Sequence, residues 1–120
     1  MIVAGIPQHR EDHARVLYQL SYELRRIAGE FVDDAKRPIK IRIGLNSGPA
    51  VSGVIGKTKF AFDVWGDTIN TAARLEAHGE PDKVHMSECT YKLIKDDFEL
   101  DLNPTEVFMK GKGNVKTYLT

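Results

Sequence analysis

The longest regular pattern in the chain lies between Glu11 and Phe31. Apolar residues recur there at spacings of three and four, which places them along one face of a helix. They are Val16, Leu17, Leu20, Leu24, Ile27, Ala28 and Phe31. The other face carries the charged residues Arg15, Glu23, Arg25, Arg26 and Glu30. We therefore predict one long amphipathic helix that packs against a core through its apolar face.

A different pattern, the alternation of apolar and polar residues, follows this helix. Residues 39–46 alternate in this way, which is typical of a half-buried strand. Turn-forming residues at 47–49 and 56–59 then separate two further predicted strands, at 50–55 and 60–65. We expect these segments to lie next to one another as hairpins.

The second half of the chain alternates between helices and strands. A helix is predicted from Gly66 to Ala77, with Asp67 or Thr68 as its cap, and Ser87 is expected to cap a helix that ends at Ile94. A strand is predicted at 83–86, and strands interrupted at 103–104 and 111–113 are predicted beyond residue 98. Residues 1–4 resemble the end of a strand. The order β-α-β-β-β-α-β-α-β-β is that of an α+β or α/β protein with a mixed sheet.

Composition narrows the choice of protein class. The chain has 120 residues, of which 42% are hydrophobic and 28% charged, as expected for one ordinary globular domain. Lys and Arg together equal Asp and Glu at 17 each, so no net charge favours nucleic acid as a partner. No apolar run is long enough to span a bilayer. The single cysteine, Cys89, excludes an intrachain disulfide and fits a cytoplasmic location, although a longer parent protein could be membrane-anchored.

Four segments resemble class III adenylyl and guanylyl cyclases. Residues 62–76, FDVWGDTINTAARLE, resemble the signature of that family. Residues 41–49, IRIGLNSGP, resemble its central hairpin and lead into VSGVIG at 51–56. VHMS at 84–87 resembles a late strand and helix cap, and MKGKG at 109–113 with KTY at 116–118 resembles the closing lysine loop and last strand. Because four matches occur in one order, the chain is similar to a cyclase over practically its whole length.

The resemblance implies an α+β fold of the ferredoxin-like cyclase type, with a mixed and mainly antiparallel sheet. It also implies that residues 1–120 correspond to the C-terminal part of the catalytic domain. Met1 to Pro7 resembles the stretch just after the second metal-binding aspartate of the family. We therefore expect both metal aspartates and the first strands upstream of residue 1, in a chain that is a fragment, a mis-started gene product or a truncated homologue.

The matching residues imply roles in cyclisation, in which the ribose 3′ oxygen attacks the α-phosphate and pyrophosphate leaves. Asn70 would hold the ribose, and Arg74 would contact the α-phosphate as charge develops. Asp63 would accept hydrogen bonds from the exocyclic amino group of adenine, since guanylyl enzymes commonly carry a Cys at the match. Lys110, and with less support Lys112, would contact the terminal phosphates. The alternative for these positions is a solvated polar helix face, a solvent-facing Asp and a lysine-rich surface turn.

The resemblance further implies ATP as substrate and Mg²⁺ or Mn²⁺ as cofactor, with no metal ligand expected within this chain. A family active site lies between two domains, so we expect a homodimer or a heterodimer with another cyclase domain. Two hypotheses follow. The first is the C-terminal part of an adenylate cyclase, inactive alone. The second is a non-catalytic cyclase-homology module that binds nucleotide or a partner.

Overall fold

The computed structural model describes residues 1–56 and 61–120, including the backbone but not the side chains of Ala61 and Phe62. Three helices and six strands form within these residues. In chain order they are α1 (His13–Gly29), β1 (Arg42–Leu45), β2 (Val51–Ile55), β3 (Ala61–Trp65), α2 (Asp67–Ala77), β4 (Lys83–Ser87), α3 (Glu88–Ile94), β5 (Thr105–Met109) and β6 (Gly113–Leu119). Each predicted element after residue 10 has a counterpart. The predicted turn at 56–59 lies mostly outside the described residues.

Four strands form one sheet in the order β1-β4-β6-β5. Strand β1 pairs parallel with β4, so that Ile43 lies opposite Val84. The pairs β4–β6 and β5–β6 are antiparallel. The predicted α+β class, with a mixed and mainly antiparallel sheet, is confirmed.

Different helices pack against the two faces of this sheet. Successive side chains of a strand point to opposite faces, so neighbouring residues of β4 contact different helices. Val84 and Met86 of β4 belong to the buried core together with residues of α1 and α3, including Tyr18 and Ile94. His85, which lies between the two core residues of β4, instead contacts Leu75 of α2. Helices α1 and α3 therefore cover one face of the sheet, and α2 covers the other.

Strands β2 and β3 form a separate antiparallel pair outside the main sheet. Val64 of this hairpin is buried, but several of its other apolar side chains are exposed. They are Val51, Val54, Ile55 and Trp65. The hairpin leads directly into α2, so it sets the point at which that helix begins.

Four predictions are wrong. Segments 39–46 and 50–55 do not form a hairpin, because β1 pairs parallel with β4 and β2 pairs with β3. Helix α1 does not pack through the predicted apolar face: it buries Ala14, Tyr18 and Ser21, whereas Ile27 and Phe31 are exposed.

The other two wrong predictions concern the ends of elements. Residues 1–4 form no strand, and Gly5, with φ of 93°, turns the chain directly after them. Gly66, and neither Asp67 nor Thr68, occupies the N-cap position of α2. Asp67 is already helical, and the Thr68 hydroxyl donates to the carbonyl of Pro49. The predicted cap of α3 is confirmed, because the Ser87 hydroxyl accepts a hydrogen bond from the Thr90 amide at 3.3 Å.

No helix within the described ranges has the length and apolar character needed to cross a membrane.

Candidate functional site

Helix α2 carries two of the predicted site residues on one face. Asn70 and Arg74 are four residues apart, so their side chains project in nearly the same direction, one turn from each other. Asn70 is exposed and Arg74 is half-buried. The nearby carboxylate of Glu76 is engaged by Arg42 of β1 at 3.0 Å. An amide and a guanidinium are thus presented together at the protein surface.

The position of α2 is set by contacts along its length. Asn46, which follows β1, donates through its side-chain nitrogen to the carbonyl oxygen of Thr68 at 3.0 Å. At the other end, a ring nitrogen of His85 lies 2.8 Å from the carbonyl oxygen of Leu75. The second ring nitrogen of His85 lies 2.8 Å from the hydroxyl of Thr117 on β6. Because His85 is buried, these two bonds fix the C-terminal end of α2 against the sheet.

Asp63 lies on β3, four positions before the first residue of α2. It is exposed, and its carboxylate accepts a hydrogen bond from the Val64 amide at 2.8 Å. The residue directly opposite on β2 is Gly53, which has no side chain to cover the carboxylate. Asp63 is therefore open to hydrogen-bond donors from outside the chain. Both the base-reading role and the solvent-facing alternative are compatible with this placement.

The lysine-rich turn between β5 and β6 reaches the beginning of α2. The ammonium of Lys112 lies 2.7 Å from a carboxylate oxygen of Asp67, the first residue of that helix. Lys110, two residues earlier on the same turn, is exposed. Asn70 and Lys110 are 40 positions apart in the sequence. In the fold, the helix and the turn that carry them are joined by the ion pair of Asp67 and Lys112.

The ion pair of Asp67 is a feature that the sequence analysis missed, since it treats this residue only as a possible helix cap. A signal was present in the spacing: positions 67, 70 and 74 follow the i, i+3, i+7 rule for one helix face. Asp67 therefore belongs to the same face of α2 as Asn70 and Arg74. Sequence alone could not reveal that Lys112 is its partner.

The metal ions that the resemblance implies require a cluster of ligand side chains. Among residues 1–56 and 61–120, no three His, Cys, Asp or Glu side chains cluster in a way that could hold a metal ion. Asp12, close to the start of α1, is held by Arg10 at 2.6 Å. That hydrogen bond lowers the pKa of Asp12, and the Arg10 charge adds to the effect. The Asp12 carboxylate is therefore already paired with a guanidinium.

The side chains of the candidate site suit a ligand that combines negatively charged phosphates with polar sugar and base groups. A guanidinium offers a planar fork of donors to phosphate oxygens, and an ammonium offers a point charge. The Asn70 amide can both donate and accept, as a sugar hydroxyl requires. The Asp63 carboxylate accepts from amino groups. The arrangement can bind and orient a nucleotide and can stabilise negative charge that develops on a phosphate.

Comparisons with known proteins agree with this chemistry. The family model described as "Adenylate and Guanylate cyclase catalytic domain" matches residues 1–120. An adenylate cyclase of Mycobacterium tuberculosis is 35% identical over 118 residues, which cover 98% of this chain and 26% of that protein. The receptor-type guanylate cyclase gcy-28 of Caenorhabditis elegans is 41% identical over 123 residues, which cover 98% of this chain and 10% of that protein. The chain thus spans about a quarter or less of these relatives.

Solved structures of cyclase domains have the same fold. The guanylate cyclase domain of RhGC from Catenaria anguillulae, in complex with GTP, superposes with a TM-score of 0.85 at 34% identity. The match covers 96% of this chain and 63% of that one. The catalytic core of a rhodopsin-guanylyl cyclase with converted specificity, in complex with ATPalphaS, gives a TM-score of 0.83 at 35% identity, with 96% and 62% covered. Sequence and fold together therefore establish that the chain belongs to the adenylate and guanylate cyclase catalytic domain family.

Proposed function

We propose that this chain forms the base-reading and transition-state side of an adenylate cyclase active site, which converts ATP to 3′,5′-cyclic AMP and pyrophosphate. Membership in the cyclase family supports cyclic nucleotide synthesis in general. The choice of ATP over GTP and the role of each residue are the proposal. The observation that carries it is that the exposed Asn70 and the half-buried Arg74 lie on one face of α2, with the lysine turn attached at the start of the same helix.

Arg74 contributes most to the chemical step in this proposal. As the ribose 3′ oxygen attacks the α-phosphate, negative charge grows on the phosphate oxygens and on the departing pyrophosphate. A guanidinium that stays charged at every accessible pH stabilises this charge without accepting a proton. Asn70 holds the ribose so that the 3′ oxygen stays in line with the bond that breaks. Loss of one such transition-state contact costs about 3–4 kcal/mol, or roughly 10²–10³ in rate.

Lys110 supplies positive charge to the β- and γ-phosphates, on the same turn as Lys112, whose ammonium is paired with Asp67. The triphosphate of ATP carries several negative charges, and the whole chain has a formal net charge of +0. Binding therefore depends on local positive charge and not on the overall field of the chain. The turn that carries both lysines meets α2 through Lys112, which places it beside the helix that bears Arg74.

Asp63 selects adenine in this proposal. Its exposed carboxylate, opposite Gly53, can accept a hydrogen bond from the 6-amino group of adenine, whereas guanine presents a carbonyl oxygen at the equivalent position. A carboxylate facing that oxygen would be repulsive, which disfavours GTP. Relatives include both adenylate and guanylate cyclases, so this residue, and not the family, carries the proposed preference.

Divalent metal and a second cyclase domain complete the proposed site. Mg²⁺ or Mn²⁺, when bound by carboxylates outside residues 1–120, would activate the attacking oxygen and hold the phosphates. The partner would be a second copy of the parent protein or another cyclase domain. The apolar side chains on the β2–β3 hairpin, which include Val54 and Trp65, support such an interface because isolated domains rarely expose several together.

Complementation tests this proposal. The 120-residue chain would be mixed with an adenylate cyclase domain that keeps its metal aspartates but whose own Asn-Arg pair is replaced by alanine. We expect cyclic AMP formation from the mixture and none from either chain alone, measured by mass spectrometry. The matched control is the Arg74→Ala chain, which should form the same heterodimer without turnover. Heterodimers that form but make no cyclic nucleotide would contradict the catalytic proposal and favour a non-catalytic module.

The base preference has its own test in the same mixture. Asp63→Cys should reduce turnover of ATP relative to GTP, because the carboxylate that accepts from the adenine amino group is lost. Asp101→Cys, at an exposed position distant in sequence from the signature, is the control for introducing a thiol. An unchanged ratio of ATP to GTP turnover would remove Asp63 from base recognition.

A further inference from the structure

Lys112 and Asp67 form a short ion pair in which the lysine is partly covered and the carboxylate is 73% exposed. The length of the ion pair is 2.7 Å, and the Lys112 side chain is only 28% exposed although it lies on a turn. Most long lysine side chains on turns extend into solvent, since confining them costs conformational entropy. Here the side chain lies along the protein and ends at the first residue of α2.

The backbone of the turn fixes the direction of Lys112. Its amide donates to the carbonyl oxygen of Met109 at 2.9 Å, which closes the turn between β5 and β6. Gly111 and Gly113, on either side, have φ of 83° and 76°, a region that L side chains rarely adopt. Met109 is buried and pairs with Gly113 across the two strands. The base of the turn is therefore anchored, and Lys112 adds a second attachment at its tip.

The charge of Asp67 would be unfavourable without this partner. Asp67 shares its helix face with Asn70 and Arg74, the residues proposed to meet the ribose and the α-phosphate. An unpaired carboxylate beside a triphosphate would weaken binding by like-charge repulsion. The beginning of a helix favours a carboxylate, but it favours a phosphate equally. The carboxylate at position 67 is therefore explained best by its ion pair with Lys112.

We propose that Asp67 is a positioning residue: through Lys112 it docks the β5–β6 turn on the start of α2, which leaves Lys110 to contact the terminal phosphates. This inference rests on the proposed function for the role of Lys110. It divides the two lysines of the turn into one that holds the loop and one that contacts the ligand. Lys110 is exposed and makes no ion pair within the described parts of the chain, as a ligand contact requires.

The docking itself is tested without nucleotide, by amide hydrogen exchange of the 120-residue chain. Asp67→Asn removes the charge that holds Lys112 and keeps the size of the side chain. We expect the amides of residues 110–113 to exchange about three- to fivefold faster, the range open to one partly exposed ion pair. Asp101→Asn, which removes an exposed carboxylate elsewhere, should leave them unchanged. Equal exchange in wild type and Asp67→Asn would overturn the docking role.

The consequence for the ligand is tested by the sign of an affinity change. ATP is titrated, with Mg²⁺ present, into the heterodimer of this chain and the complementing cyclase domain, and binding is followed by isothermal titration calorimetry. If Asp67 acted only through its charge, Asp67→Asn would tighten ATP binding. Positioning predicts the opposite, a weakening of about threefold, because the lysine turn is no longer held beside the helix. Tighter binding in Asp67→Asn would overturn the proposal.

Double variants then separate the two lysines. In the Asp67→Asn background, Lys112→Met should cause little further loss of ATP affinity, since the ion pair between residues 67 and 112 is already broken. Lys110→Met should weaken ATP binding in both backgrounds. If Lys112→Met instead weakens ATP binding as much in the Asp67→Asn background as in the wild type, Lys112 contacts phosphate directly and the division of roles is wrong. Absence of ATP binding by the heterodimer that contains the wild-type chain would count against the proposed function, while the exchange experiment would still decide the docking of the turn.

Discussion

Gly44 of β1 lies directly beneath the backbone of α2 at Ala72. A methyl group at Gly44 would overlap the carbonyl oxygen of Ala72 and the backbone nitrogen of Glu76. Only a residue without a side chain lets the helix approach the strand this closely. The helix that carries Asn70 and Arg74 can thus pack this close to the sheet because Gly44 has no side chain.

Gly44→Ala should therefore destabilise the fold by displacing α2. Because the obstructing atoms belong to the backbone and cannot rotate away, we expect a loss of about 2–3 kcal/mol in the free energy of unfolding. Urea denaturation followed by circular dichroism measures it. Gly29→Ala at the end of α1 is the matched control, since no atom lies within 4 Å of that position. Equal stability of the two variants would show that α2 does not depend on the close approach.

His85→Leu should destabilise the protein although leucine is apolar and similar in size. The buried imidazole joins the carbonyl of Leu75 to the hydroxyl of Thr117, and its loss leaves both groups without that partner. The Thr117 hydroxyl keeps its contact with the Thr105 hydroxyl at 3.1 Å, whereas the Leu75 carbonyl loses its side-chain partner. The loss of such a buried hydrogen bond costs about 1–3 kcal/mol. Thermal unfolding should show a lower midpoint, with His9→Leu, at an exposed site, as the control. A variant as stable as wild type would mean that neither hydrogen bond contributes.

The raised pKa of Tyr18 leads us to expect a loss of stability at high pH. Burial against the core, together with the nearby hydroxyl of Tyr22 at 3.3 Å, raises the pKa of Tyr18 to about 12. An unfolded chain releases this proton near pH 10, so between about pH 10 and 12 the folded state holds the proton that the unfolded state has lost. Stability should fall as pH rises through this window and should be unaffected by Tyr18 below it.

Urea unfolding at pH 9 and pH 11.5 measures this effect, with Tyr18→Phe for comparison. Lysines also titrate in this range, but they do so in both proteins. The fall in stability should therefore be smaller in Tyr18→Phe than in wild type. Identical falls in the two proteins would contradict the shifted pKa.

Arg74→Lys distinguishes a transition-state role from simple charge. Lysine keeps the positive charge but loses the planar fork of donors. In the complemented mixture we expect kcat to fall by about 10- to 100-fold while KM changes little, because the lost contact forms mainly as the phosphate charge develops. Ala73→Lys, on an exposed neighbouring position, controls for an added lysine on α2. A rise in KM at unchanged kcat would assign Arg74 to ground-state binding.

The sequence alone determined most of the local structure and the identity of the candidate site. Helical spacing predicted α1, alternation predicted β1 and its neighbours, and Ser87 predicted the start of α3, because each signal depends on residues that are close in the chain. The spacing of Asn70 and Arg74 placed them on one face without coordinates. The strand expected at residues 1–4 did not form, since a strand is stable only with a partner and no local pattern reveals one.

Tertiary structure alone decided which distant residues meet. The approach of α2 to Gly44, the bonds of His85 to two elements and the docking of Lys112 on Asp67 all join residues at least ten positions apart. Such contacts depend on the order of strands in the sheet and on which face each helix covers, and many orders are compatible with one set of elements. For this reason the sequence indicates only a helix cap at Asp67, whereas the folded chain makes this residue the partner of a lysine on the last hairpin.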